Sequence, residues 1–310
     1  MAETAPPQIS LPPANECIYC GYKNGLRDEH IIGLSLGGRF ILPKASCEKC
    51  ATITSKLERQ VAKDLLFVPR SLGLVQTRHP SQRARSAFVE LEFPDGKKIK
   101  RAFSLEIAPI INYVPYFDPL DSSVFNSRLQ STCTFRGVEM FDNAVRYNNI
   151  FALTGAHNVS IMTGSMDGVV FARAIWKAAC GFFYLVSPES LQASEWPKAV
   201  VGIGGPSFTT PNAAISHSSG QDLLVFKDIF SSASETLHRS KYGSAKTYTS
   251  DTDNHSYIYC EISILSTLLF PKYTCRIPNI SGQPVPTQEF KLVEGSPVGP
   301  SAPMFIFSKD

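Results

Sequence analysis

No stretch of this 310-residue chain is both long and uniformly apolar. The nearest approach, Val169 to Val186, is interrupted by Arg173, Lys177 and several small residues, so it reads as a buried helix rather than a membrane span. The opening residues, Met1-Ala2-Glu3-Thr4-Ala5-Pro6-Pro7, put an acid and prolines where an export signal carries basic and then apolar residues. The expected compartment is therefore the cytoplasm. Walker-type, G-x-S-x-G and H-E-x-x-H sequences are all missing, which leaves no motif for a P-loop NTPase, a serine hydrolase of that type or a zincin. Gly202-Ile203-Gly204-Gly205 leads into Pro206 and a hydroxyl-rich loop instead of a helix, which argues against a phosphate cradle. His157, His217, His238 and His255 lie far apart, and no internal repeat is present.

What is present suits a folded protein of one or two domains, with 43% hydrophobic and 18% charged residues. Pro-rich ends, Ala5 to Pro13 and Ser281 to Pro303, predict short disordered segments. The net charge of +3 conceals an asymmetry, because Ile53 to Arg101 holds eleven Lys and Arg against five Asp and Glu. That basic window suits either a polyanion partner or a solvated loop-rich surface.

The eight cysteines divide unevenly. Cys133, Cys180, Cys260 and Cys275 are scattered singly, as buried free thiols are. Cys17 and Cys20 form one C-x2-C pair, and after 26 residues Cys47 and Cys50 form another. Two tight turns that each aim two thiolates at one ion predict a closed, tetrahedral Zn²⁺ site. With no open coordination position, such a zinc staples the fold instead of doing chemistry.

Between the pairs, Glu29-His30-Ile31-Ile32 and Phe40-Ile41-Leu42 predict two short strands around the Gly37-Gly38 turn. Ala51 to Leu66 then carries apolar residues at Ile53, Leu57, Val61 and Leu65, the step of one helix face, and Pro69 closes it. Ala87 to Phe93 and Lys97 to Phe103 flank Pro94-Asp95-Gly96 as a hairpin with opposite charges on facing strands. Downstream, Met166 to Val186 predicts a helix. Strands are expected at Ala199–Ile203, Leu223–Phe226, Ser256–Leu265 and Met304–Phe307, and an exposed loop at Tyr242 to Ser256. The predicted organisation is a flexible N-terminus (1–14), a zinc module (15–70), a linker (71–86) and a mixed α+β domain with a mainly antiparallel sheet (87–310).

The wording Cys17-Ile18-Tyr19-Cys20, Glu29-His30-Ile31-Ile32, Leu36-Gly37-Gly38 and Leu42-Pro43-Lys44-Ala45-Ser46-Cys47 through Cys50-Ala51 resembles a group of bacterial HNH endonuclease-like proteins. The resemblance covers Cys17 to Val61, about one-seventh of the chain, and the helix from Phe171-Ala172-Arg173 to Lys177 looks like their downstream part. It implies a ββα-metal, treble-clef-like module in which His30 is the general base and Glu29 holds a catalytic cation, Mg²⁺ or another divalent ion. This chain departs from the pattern after the last cysteine, where Ala51 and Thr54 replace the usual Asn or His and His or Lys. It departs again at Leu42 and Lys44, where a central Asn is expected. Glu58, four residues after Thr54 on a helix, is a candidate substitute ligand.

Two functions follow from these residues. One is a metal-dependent endonuclease on DNA, gripping phosphates through Lys56, Arg59, Lys63, Arg70, Arg78, Arg83 and Arg85, with the C-terminal domain taking a regulator or ligand. The other is a non-catalytic zinc module that binds nucleic acid or protein.

Overall fold

The computed structural model describes residues 8–71, 85–119, 130–139, 141–161, 167–202, 224–227, 229–232, 243–265 and 270–291. In chain order the elements are β1 (Ile9–Ser10), β2 (Leu26–His30), β3 (Phe40–Cys47), α1 (Glu48–Asp64), α2 (Phe67–Ser71), β4 (Ser86–Glu92), β5 (Lys98–Ser104), β6 (Ile111–Pro119) and β7 (Gln130–Glu139). There follow α3 (Asn143–Thr154), β8 (Asn158–Ile161), α4 (Gly168–Val186), α5 (Pro188–Ala193), α6 (Trp196–Val201), β9 (Leu224–Lys227), β10 (Ile229–Ser232), β11 (Ser244–Thr249), β12 (Tyr257–Ser263), β13 (Lys272–Pro278) and β14 (Gln288–Phe290). The fold is α+β with mainly antiparallel sheets, as expected.

The partition of the chain differs from the expected one. One compact unit comprises Met1–Val61, Pro115–Thr134 and Gly168–Asp310, and the other Ala62–Val114 and Phe135–Asp167. The cysteine-bearing strands thus share a unit with α4 and the five-stranded sheet β10-β13-β12-β11-β14, while the predicted hairpin lies in the second unit. Aromatic packing accounts for this. Phe40 of β3 meets Phe182 of α4 edge-on at 6.2 Å and Phe290 of β14 at 6.2 Å, and Phe182 lies 4.9 Å from Phe290. Three large rings from three distant segments bury one another, a contribution that local periodicity does not reveal.

The Glu-His-Ile-Ile segment is clamped from two sides. Ile31 and Ile32 are fully buried, and a Cβ on Gly181 of α4 would lie 2.7 Å from Ile31 Cγ2. A Cβ on Gly243 would lie 2.7 Å from Ile32 Cδ1, and the Gly243 amide donates to the Gly37 carbonyl at 2.9 Å. Within the turn itself a Cβ on Gly38 would sit 1.7 Å from the Ile32 carbonyl oxygen. Gly38→Ala should therefore cost about 3 kcal/mol or more in urea unfolding, since backbone has to move. Gly25→Ala, at φ 56° but facing open space, should cost only about 1–2 kcal/mol. Equal losses at the two sites would show that the turn is not held as described.

Several local expectations are corrected. Of the predicted flexible N-terminus, residues 1–7 lie outside the described residues, but β1 pairs in parallel with β3 and buries Ile9, with Leu11 following. The strand expected at Ala199–Ile203 is a helix as far as Val201: α6 covers Trp196–Val201, with Pro197 in its first turn and Gly202 closing it at φ 70°, and Ile203 lies outside the described residues. Arg173 takes the Val200 carbonyl at 2.6 Å, satisfying a helix-end acceptor. The expected loop at Tyr242 to Ser256 contains β11, a strand paired on both edges, whose inward residues Ala245 and Thr247 are too small or polar to show as an apolar alternation. β14 falls within the expected disordered Ser281 to Pro303. Met304–Phe307 lies outside the described residues. α4 is long and apolar enough to span a membrane by composition, yet its residues Phe171 to Phe183 are largely buried within the protein, as in a core helix.

The second unit has its own core. β5-β4-β8 form an antiparallel sheet whose Val89, Leu91, Phe103 and Val159 pack with Ala108, Ile150 and Ala156. The predicted hairpin is present with Glu90 opposite Lys100 and Glu92 opposite Lys98.

Candidate metal centre and the adjoining carboxylate cluster

Cys17 and Cys20 sit on a tight turn in which the Gly21 amide donates to the Cys17 carbonyl at 2.8 Å, with Gly21 at φ 74°. Cys47 ends β3 and Cys50 lies in the first turn of α1, so strand, turn and helix start are brought together by chain geometry alone. The four Sγ atoms all lie within 4.8 Å of one another, the one group of this kind among the described residues. Cys20 Sγ is 3.7 Å from Cys47 Sγ and 3.8 Å from Cys50 Sγ. A tetrahedron of sulfurs about 2.3 Å from a central ion has edges of about 3.8 Å, so the residues present fit a thiolate-bound metal. A hydrogen bond with the Cys50 thiol holds the Cys17 thiol down at about 5, against burial that works the other way. Burial pushes Cys20 up, and Cys50 is raised by its bond to Cys17 and by burial. A bound cation would deprotonate the whole set.

Beside this centre the β2–β3 pairing is irregular. Arg27 faces Ser46 and Glu29 faces Leu42, so Asp28 alone opposes Pro43-Lys44-Ala45, and the Lys44 amide at φ 49° donates to Asp28 Oδ1 at 3.1 Å. The bulge leaves Asp28 exposed and turns Glu29 inward, 6% exposed. On α1, Thr54 is buried and its hydroxyl donates to the Ala51 carbonyl at 3.2 Å. Glu58 follows one turn later, its carboxylate lying against Gly33.

The two carboxylates converge, and between them is Lys177. Its Nζ lies 2.7 Å from Glu29 Oε1 and 2.7 Å from Glu58 Oε1, with the side chain 1% exposed. It also donates to the His30 carbonyl and to the Ile31 carbonyl at 3.3 Å. Burial alone pulls the Lys177 pKa down, but the Glu29 and Glu58 charges outweigh it and the group is raised, so it is an ammonium. Sequence reasoning had assigned Lys177 no role. Its signal was a cation, one turn after Arg173 on an otherwise apolar helix, which has to find anionic partners once buried.

His30 points elsewhere. Its Nε2 lies 3.1 Å from Gln8 Nε2, and its ring is half-buried. Burial first, then the Lys177 charge, lowers its pKa, so the imidazole is neutral at pH 7. Of the predicted phosphate-gripping residues, Lys56, Arg59 and Lys63 are exposed on α1, and Arg85 is exposed before β4. Arg70 donates to the Ala62 carbonyl at 3.1 Å. Arg78 and Arg83 lie outside the described residues.

Fold and site together define a mixed α+β protein with a four-cysteine centre able to hold a structural metal ion. Comparison with family models, with curated proteins and with solved structures gives no match.

Proposed function

We propose that the chain is a zinc-stapled, HNH-like module that grips DNA phosphates without hydrolysing them. The observation that carries this reading is the Lys177 ammonium, fixed between Glu29 and Glu58 at 2.7 Å from each. Those are the carboxylates an HNH-type reaction needs for its divalent cation, and their shared site does not fit a metal while Lys177 is there. Zinc, held by Cys17, Cys20, Cys47 and Cys50, would supply no chemistry beyond fixing β3 against α1. Support for DNA comes from α1, where Lys49, Lys56, Arg59 and Lys63 share one face by helical spacing and are all exposed.

Fluorescence anisotropy with duplex DNA tests this. Affinity should fall about tenfold or more between 50 and 200 mM salt, and Lys56→Glu with Arg59→Glu should weaken binding to unrelated sequences alike. Binding unaffected by salt and by both substitutions would discard the DNA reading.

A metal-dependent HNH-type endonuclease is the second reading, and His30 favours it, being a neutral, half-exposed imidazole next to Glu29. Plasmid cleavage with Mg²⁺ or Mn²⁺ that vanishes in His30→Ala, with DNA affinity unchanged, would establish it and overturn the first.

A further inference from the structure

The groups that receive the Lys177 ammonium are all oxygens: two carboxylates from β2 and α1, and two main-chain carbonyls, of His30 and Ile31. Oxygen sets of this kind, with two carboxylates, suit a hard divalent cation such as Mg²⁺ or Mn²⁺. The Tyr19 hydroxyl, on the turn between Cys17 and Cys20, is also buried and has no hydrogen-bond partner. The cluster is therefore built as a cation site.

Lys177 is enclosed where it stands. The residue is 1% exposed, and one turn along α4 Gly181 abuts Ile31 so closely that a Cβ there would lie 2.7 Å from Cγ2. α4 and the segment that follows β2 are closely packed at that point. We infer that Lys177 is a built-in replacement for a divalent cation: the protein holds its positive charge covalently, on α4, and keeps metal ions out of the Glu29–Glu58 site. The inference rests on the HNH-like reading only for the comparison with a metal. Its test reads ion binding, so a protein that bound no DNA would leave it standing.

The experiment is a titration of zinc-loaded, full-length protein with Mn²⁺, followed by the loss of the free-ion electron paramagnetic resonance signal. Wild type should show no bound Mn²⁺ that Glu58→Gln removes. Lys177→Ala should acquire about one bound Mn²⁺ per chain, and Lys177→Ala with Glu58→Gln should lose it again. Wild type binding one Mn²⁺ that disappears in Glu58→Gln would overturn the inference. A folded Lys177→Ala that binds none would overturn it too, because the oxygens would then not form a cation site. Should Lys177→Ala fail to fold, wild type against Glu58→Gln still decides whether the site excludes metal.

Discussion

Cys47→Ser should yield protein with no bound zinc and without a folded first unit, while the β5-β4-β8 core of the second unit persists. The four thiols lie within 4.8 Å of one another, close enough to ligate one ion, and structural zinc sites contribute on the order of 10 kcal/mol to folding at neutral pH. The loss should spread beyond residues 17–50, because Phe40 packs on Phe182 and Phe290, and Gly37 accepts a hydrogen bond from Gly243. The second unit draws on a separate set of apolar side chains, Val89, Leu91, Ile150 and Val159 among them. Elemental analysis together with amide hydrogen exchange resolves the two regions. Native protection of β12 and β13 in a zinc-free Cys47→Ser protein would refute the coupling, and a wild type without zinc would refute the metal assignment.

The second large effect is expected at Lys177. Lys177→Met keeps most of the side-chain volume but leaves two carboxylates facing each other in the interior. Removing one partner from a buried ionic cluster costs about 3–5 kcal/mol. Glu29→Gln added to Lys177→Met should recover part of that loss, which separates uncompensated charge from poorer packing. The pH dependence has a definite sign. The Lys177 pKa is raised above 10.5, so its contribution is fully present below pH 10.5 and is lost as pH climbs through the folded value. Urea unfolding from pH 8 to 11.5 should therefore show wild type losing stability at the alkaline end, and Lys177→Met losing less. Identical alkaline slopes, or a Lys177→Met as stable as wild type, would remove the ammonium from this role.

The parts of the site that were legible in the sequence are those set by short-range geometry. The C-x2-C pairs reveal themselves because two residues of separation on a turn fix where the thiols go. The α1 face was readable from Ile53, Leu57 and Val61, and Glu58 follows from Thr54 by one helical turn. Lys177 was not readable as a partner of Glu29, because no spacing rule links a strand in the first fifty residues to a helix far downstream. α6 was misread since Val200 and Val201 are β-branched and apolar, and its helical form depends on Pro197, Gly202 and the Arg173 guanidinium. β11 escaped notice because Ala245 and Thr247 supply its inward face. In each case tertiary partners overrode a local preference.

Residues 17–61 have the outline of a transplantable cassette, yet the positive charge their two carboxylates depend on is inherited from another part of the polypeptide. Grafted onto a foreign scaffold, the segment would expose Ile31, Ile32 and Phe40 and carry Glu29 and Glu58 with no counter-ion. Recombination between such genes could move this module only together with the stretch encoding α4, so the two should be exchanged as a pair or not at all.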